Sequence, residues 1–105
     1  VTDKDGFALY FSRAGIPYEA ENRVNVPAPC WYKHIGLYGY LREFLLKINK
    51  LPHSSLETVE SLEQLRILEN GCKIKVMETE HNTIGVDTPE DLMKVAGMIE
   101  KEFAC

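Results

Sequence analysis

The sequence has few of the residues that cross-link small proteins or bind structural metals. Its 105 residues include three cysteines, Cys30, Cys72 and Cys105. No two of them form a CxxC pair. An odd number of widely spaced cysteines argues against a disulfide framework and favours a reducing, cytoplasmic setting. The three histidines are His34, His53 and His81. Their spacing from one another and from the cysteines is not that of metal ligands. A structural zinc site is therefore not expected.

Long apolar runs and a surplus of basic residues are also missing. Hydrophobic residues make up 45% of the chain, but charges interrupt the apolar runs, so we expect neither a membrane span nor a secretory leader. Acidic residues outnumber basic ones by 16 to 12, which gives a net charge of -4. No basic stripe stands out, which argues against nucleic acid or an anionic membrane as a partner. The length suits one domain or a piece of one.

The apolar pattern predicts strands that alternate with helices, which places the chain in the α/β class. Strands are expected at residues 7–11, 31–40, 72–78 and 83–86. Helices are expected at residues 41–49, at residues 58–70 and after residue 88. Gly71 can end the second helix in the left-handed conformation. Residues 19–29 show no sustained period and are expected to form a surface excursion.

The most informative segment is the junction at Asp87, where a short apolar run stops at a carboxylate and a helix begins. Thr88 can cap that helix, Pro89 suits its first position, and Asp91 completes a capping box. Asp87 then lies at the carboxyl end of a predicted strand, the usual ligand position in open α/β sheets. A carboxylate held there suits a hard cation such as Mg²⁺. The residues alone leave open that Asp87 merely supports the cap and the helix dipole.

Four regions, in order along the chain, carry a resemblance to one enzyme family. They are LYFSR at residues 9–13 with IP at 16–17, YKHIGLY at 32–38, SLEQLR at 61–66 with LENG at 68–71, and IGVDTPEDL at 84–92. With these segments the chain resembles the 3-deoxy-manno-octulosonate cytidylyltransferases, also called CMP-Kdo synthetases, over nearly its whole length. The resemblance implies part of a Rossmann-like nucleotide-diphosphosugar transferase, a three-layer sandwich with a mixed sheet.

The resemblance also implies an activity. Family members transfer CMP from CTP to 3-deoxy-D-manno-octulosonate (Kdo) with the help of Mg²⁺ and release pyrophosphate. Their product is the activated sugar of lipopolysaccharide assembly, and they form homodimers. Because such a displacement concentrates negative charge around phosphorus, positioning and cationic stabilisation should provide most of the catalysis.

The resemblance assigns roles to five residues. Asp87 matches the family's C-terminal Mg²⁺ ligand, which makes it both the metal ligand and the catalytic residue. His34, Glu63 and Gln64 match residues that contact the sugar. Arg13 is assigned to the Kdo carboxylate or a phosphate, since a guanidinium can bind two oxygens in one plane.

Each assignment has an ordinary alternative when the residues are considered alone. His34 could be a hydrogen-bonded sheet residue. Glu63 and Gln64 could lie on the solvated face of a helix, where such residues are common. Arg13 could pair with a neighbouring surface carboxylate.

The family's N-terminal half, with its phosphate-binding loop and first metal-binding aspartate, has no counterpart in this sequence. We therefore expect residues 1–105 to be the C-terminal portion of a single cytidylyltransferase domain, with sugar-binding and dimerisation parts, and to be inactive alone. Two other interpretations stay open. One is a transferase like the CMP-sialate synthetases, acting on another acid sugar; the other is a non-catalytic module for subunit association.

Overall fold

The structure, a computed structural model, describes residues 1–20 and 31–104. These residues contain four helices: α1 (Arg42–Ile48), α2 (Ser55–Glu60), α3 (Gln64–Glu69) and α4 (Pro89–Phe103). Within the described ranges, no helix combines the length and apolar character that crossing a bilayer requires. Most of the predicted surface excursion, together with Cys30 and Cys105, lies outside the described residues. Cys72 is a free thiol.

The packed centre of the described residues is the pair formed by α2 and α3. Leu65 of α3 is completely buried, and Ile67 is 3% exposed. The other buried residues are Ala8 from the N-terminal segment and three polar residues of the pair: Ser54, Glu57 and Gln64. Burial is therefore concentrated in a pair of short helices, and polar groups take part in it.

The single helix predicted at residues 58–70 is wrong, because the chain forms two shorter helices there. Ser54 caps the first: its Oγ accepts a hydrogen bond from the Glu57 N–H at 3.1 Å, and the Glu57 side chain accepts one from the Ser54 N–H. This capping box starts α2 before residue 58. Ser61 then ends α2 in a left-handed conformation, with φ of 52°, which a right-handed helix cannot continue through.

The end of α3 confirms the prediction for Gly71, whose φ is 75°. Its N–H donates to the Leu68 carbonyl at 2.9 Å, and the Cys72 N–H donates to the Ile67 carbonyl at 3.0 Å. These two bonds form a Schellman motif, which satisfies carbonyls left open at a helix end. Glycine adopts the required conformation without a steric penalty.

The four predicted strands do not form within the described residues. Antiparallel pairing there consists of two isolated bridges, Thr2 with Ala8 and Phe7 with Lys75. The strand predictions are therefore not confirmed by this structure. An alternating pattern can predict which residues share a face, but a strand also needs a neighbouring backbone about 4.8 Å away to complete its hydrogen bonds. The mixed sheet expected from the family resemblance stays a prediction.

The predictions for α4 and α1 are confirmed. Thr88 Oγ accepts from the Asp91 N–H at 3.2 Å, and Asp91 Oδ2 accepts from the Thr88 N–H at 3.1 Å. Pro89 occupies the first turn of α4. Neither α1 nor α4 has a buried residue. Local patterns are thus enough to predict where both helices lie.

The chain exposes far more surface than a compact domain of the same mass. Its accessible surface is 9306 Å², whereas mass scaling predicts roughly 6,000 Å² for a protein of this size. Large apolar side chains contribute to the difference: Leu37 is 86% exposed, Leu41 82% and Phe103 79%. Much of the apolar surface of the helices is therefore uncovered.

Candidate functional site

A cavity of about 340 Å³ lies beside the start of α3. This volume is within the range of small-molecule sites. Two of the residues that the sequence assigns to sugar binding, Glu63 and Gln64, line it together. The remaining wall contains Tyr38, Tyr40, Ile48, Asn49, Arg66 and Ile67. The cavity therefore combines aromatic, apolar and charged groups.

Gln64 is a polar residue of this wall whose side-chain amide is not fully paired. The residue is 6% exposed, yet its Nε2 amide has no hydrogen-bond partner within the described part of the chain. A buried donor left unpaired costs about 1–3 kcal/mol. Because Nε2 itself is closed off from the cavity, a ligand oxygen would reach it only after the Gln64 side chain turns, whereas the neighbouring carboxylate of Glu63 adds acceptor oxygens. A donor beside an acceptor is what a polyhydroxylated ligand needs.

His34 is connected to the cavity through Tyr38. The two side chains share a hydrogen bond between His34 Nε2 and the Tyr38 hydroxyl, and Tyr38 lines the cavity. Burial lowers the pKa of His34. Burial and the neighbouring Tyr40 raise the pKa of Tyr38 to about 12. Both groups are therefore neutral near pH 7, and they share this hydrogen bond without a charge on either ring.

A series of aromatic rings extends from His34 along this wall. The contacts, with their centroid distances, are Phe11 to His34 at 5.3 Å, His34 to Tyr38 at 5.8 Å, Tyr38 to Tyr40 at 6.2 Å and Tyr40 to Phe44 at 6.3 Å. Offset and tilted ring contacts at such distances are favourable. The series holds residues 34–40 between the N-terminal segment and α1, although no strand forms there.

Arg66 contributes a charge-balanced part of the wall. Its Nε donates to Glu57 Oε2 at 2.8 Å, and its Nη2 donates to Glu57 Oε1 and contacts His53 Nδ1 at 3.1 Å. These bonds are the main reason that the pKa of Glu57 is lowered. Since Glu57 is 8% exposed, its ion pair with Arg66 shapes the wall rather than offering the cavity an unpaired cation.

Arg13 lies at the end of α2 rather than in the wall. Its Nε donates to the Glu60 carbonyl at 2.8 Å, and its Nη2 donates to the Ser61 carbonyl at 3.1 Å. The guanidinium thus bonds to main-chain oxygens rather than to a surface carboxylate. These contacts attach Arg13 to the turn that leads directly into Glu63 and Gln64.

Asp87 is exposed at the start of α4, and in the described ranges its carboxylate has no hydrogen bond to another predicted site residue. The segment just before Asp87 in the sequence is bonded to Lys33, whose Nζ donates to Asn82 Oδ1 at 3.1 Å and to the Thr83 carbonyl at 3.0 Å. Among the described residues, no three His, Cys, Asp or Glu side chains are grouped to hold a metal. A single exposed carboxylate nevertheless fits Mg²⁺, which often takes one or two carboxylates and completes its shell with water and phosphate.

The structure thus brings some of the predicted residues together and leaves others apart. Glu63 and Gln64 share the cavity, His34 reaches it through Tyr38, and Arg13 is tied to the turn before it. In the described residues, Asp87 makes no hydrogen bond or ion pair with this group. Sequence reasoning gave no role in the site to Tyr38 or Glu60. The partners of the Glu60 side chain lie in residues 10–13, and no local pattern reveals contacts across so long a sequence separation.

Known proteins share both the sequence and the structure of this chain. The profile of the cytidylyltransferase family matches residues 1–75. The 3-deoxy-manno-octulosonate cytidylyltransferase of Fusobacterium nucleatum is 52% identical over 101 residues, a match that covers 96% of this chain and 40% of that protein. The chain belongs to the 3-deoxy-manno-octulosonate cytidylyltransferase family. The family resemblance inferred from the sequence segments is therefore confirmed.

Other members of the 3-deoxy-manno-octulosonate cytidylyltransferase family agree. The enzyme of that name from Geobacter sulfurreducens is 52% identical over 103 residues, covering 90% of this chain and 41% of that protein. A solved structure of CMP:2-keto-3-deoxy-manno-octonic acid synthetase complexed with CTP matches with a TM-score of 0.85 and 38% identity, over 98% of this chain and 41% of that chain. The chain thus has the architecture of one part of that nucleotidyltransferase fold, and it spans about two fifths of the relatives it matches.

Proposed function

We propose that this chain provides the sugar-binding part of an enzyme that transfers CMP from CTP to Kdo. The observation that carries the proposal is the unpaired, buried amide of Gln64 beside Glu63 in the cavity, in a chain of this family. The amide would donate to a sugar hydroxyl and the carboxylate would accept from another. The uncovered apolar surface supports the further proposal that the rest of a cytidylyltransferase domain packs on this part.

Arg13 would face the Kdo carboxylate with the guanidinium donors that its carbonyl contacts leave available. The neutral His34 would take part through Tyr38, whose hydroxyl lies between the imidazole and the cavity. In the reaction, the anomeric hydroxyl of Kdo attacks the α-phosphorus of CTP, a P–O bond forms, and the bond to pyrophosphate breaks. These residues hold and orient the sugar, and none forms a covalent intermediate.

Asp87 would hold Mg²⁺ through its carboxylate oxygens, together with phosphate oxygens and water. The ion, when bound, would neutralise charge on the phosphates as pyrophosphate leaves. Because Asp87 is the single carboxylate that we assign to the ion among the described residues, we propose that the 105-residue chain binds Mg²⁺ weakly and has negligible transfer activity alone. We further propose that its parent enzyme acts in the cytoplasm, in lipopolysaccharide biosynthesis.

A chimeric enzyme tests this function. This chain replaces the matching segment of the Fusobacterium nucleatum relative, and pyrophosphate release from CTP is measured with Kdo and with sialic acid. We expect release with Kdo and none with sialic acid. Asp87→Asn should lower the rate by about 10²–10³-fold, whereas the matched change Asp5→Asn, in the N-terminal turn, should leave it unchanged. Release with sialic acid alone would favour a CMP-sialate synthetase, and failure with both sugars would contradict the proposal.

Subunit association is the second candidate function, because α4 leaves its apolar side uncovered: Leu92 is 59% exposed and Ile99 is 49% exposed. We propose that the enzyme is a homodimer to which this portion contributes. Light scattering of the chain with and without Kdo and Mg²⁺ separates the two functions. A dimer that shows no response to either ligand in a binding titration would favour association without catalysis.

A further inference from the structure

The carboxylate of Glu60 connects α2 to the segment that carries Arg13. It accepts three hydrogen bonds from that segment: from the Ser12 hydroxyl to Oε1 at 2.7 Å, from the Tyr10 hydroxyl to Oε1 at 3.2 Å, and from the Arg13 N–H to Oε2 at 3.0 Å. Residues 10–13 and residue 60 are far apart in the sequence. One side chain therefore links three residues of this segment to the end of α2.

The side chain of Arg13 also bonds to the end of α2. Its guanidinium donates to the main-chain carbonyls of Glu60 and Ser61, which are among the carbonyls that a helix end leaves without an internal partner. Main chain and side chain of Arg13 are thus both attached to the end of α2. The left-handed Ser61 turns the chain directly from this point toward Glu63 and Gln64.

We propose that Glu60 is a positioning residue for recognition of the acid sugar. It holds Arg13 beside the turn that carries Glu63 and Gln64, so that one group of residues meets both the carboxylate and the hydroxyls of the ligand. This inference rests on the proposed function, in which Arg13 binds the Kdo carboxylate. Glu60 itself does not contact the ligand and acts only through Arg13.

The negative charge of Glu60 matters for this role. A carboxylate offers acceptor oxygens to three donors at once, while the amide of glutamine has one oxygen and presents a donor on its other side. Hydrogen bonds from Ser12 and from the Arg13 N–H lower the pKa of Glu60, which is consistent with an ionised acceptor at neutral pH.

Glu60→Gln tests the role, and Glu69→Gln is its matched control. Glu69 is also a carboxylate bonded to α2, but it accepts from the Ser55 hydroxyl at 3.0 Å and from the Leu56 N–H at 3.2 Å, at the opposite end of the helix. In titrations of the 105-residue chain with Kdo, we expect Glu60→Gln to raise the Kd about tenfold. Glu69→Gln should leave the Kd unchanged. Equal effects of the two changes would overturn the proposal.

A double-mutant cycle separates positioning from general loss of structure. In an Arg13→Lys background, Glu60→Gln should cause no further loss of Kdo affinity, because the residue through which it acts has already been replaced. If the two changes together reduced Kdo affinity by the product of their separate effects, the proposal would be overturned. If Glu60→Gln does not fold, as judged by circular dichroism, Ser12→Ala replaces it in the cycle and should give a smaller loss with the same dependence on Arg13.

A measurement without ligand distinguishes failure of this inference from failure of the proposed function. Proton exchange of the Arg13 Nε–H, followed by NMR, should become faster in Glu60→Gln and stay unchanged in Glu69→Gln. If the unmodified chain does not bind Kdo, the proposed function fails, and this exchange rate still decides whether Glu60 fixes Arg13. Unchanged exchange in Glu60→Gln would show that it does not.

Discussion

The α2–α3 unit and α4 are both helical, but different interactions stabilise the helices in the two regions. α2 and α3 have six residues each, too few for helices that are stable alone, and they depend on buried Leu65 and on long-range hydrogen bonds. α4 has 15 residues and a complete capping box but no buried residue. Local signals thus account for α4, whereas α2 and α3 also need contacts that are distant in the sequence.

The largest expected effect separates buried from exposed leucines. Leu65→Ala should lower the free energy of unfolding by about 2–5 kcal/mol, because it leaves a cavity at a fully buried site. Leu92→Ala, on α4, is the control and should change it by about 0.5 kcal/mol or less, since Leu92 is 59% exposed. Urea denaturation followed by circular dichroism measures both. A large loss in Leu92→Ala would show that α4 is packed in solution and would remove the contrast.

Acid should affect the α2–α3 unit more than α4. Hydrogen bonds lower the pKa of three carboxyls in the unit: Glu57 (mainly from Arg66), Glu60 (mainly from Ser12) and Glu69 (mainly from Ser54). These carboxyls therefore bind protons more readily in the unfolded chain than in the folded one. Their contribution to the stability of the fold is present above the ordinary glutamate pKa of 4.5 and is lost as pH falls through their lower pKa values in the folded chain. In α4 only Asp91 behaves this way among the described residues.

Amide hydrogen exchange at decreasing pH, corrected for intrinsic rates, measures this difference for each helix. We expect protection in α2 and α3 to fall first and furthest below pH 4.5. The comparison would be wrong if α4 lost its protection while the α2–α3 unit kept its own.

The smallest expected effect compares the two capping boxes. Thr88→Ala and Ser54→Ala each remove the side chain that caps a helix, at a cost of about 1 kcal/mol. Because α4 is not buried against other described elements, Thr88→Ala should reduce amide protection in α4 alone. Ser54→Ala should reduce protection in both α2 and α3, since the two helices pack on each other. A response confined to α2 would mean that the pair is not a cooperative unit.

The candidate site was predictable where a local motif carries its residues. Glu63 and Gln64 are adjacent in the segment that resembles the family, and the structure places both in one cavity. The cavity itself needs Tyr38 and Tyr40, which reach it through ring contacts rather than through a sequence motif. The role of Glu60 was not predictable, because its partners lie in residues 10–13 and no helix or strand period connects them to it.

The sequence by itself determined the family, the start of α4 and the glycine that closes α3, since caps, turns and motif identity depend on residues close together along the chain. Only the tertiary structure decided that α2 packs on α3, that the alternating segments stay without a sheet in the described residues, and that Arg13 is attached to the end of α2. Those outcomes depend on which distant groups complete a hydrogen bond or cover an apolar side chain, and a local pattern does not record that.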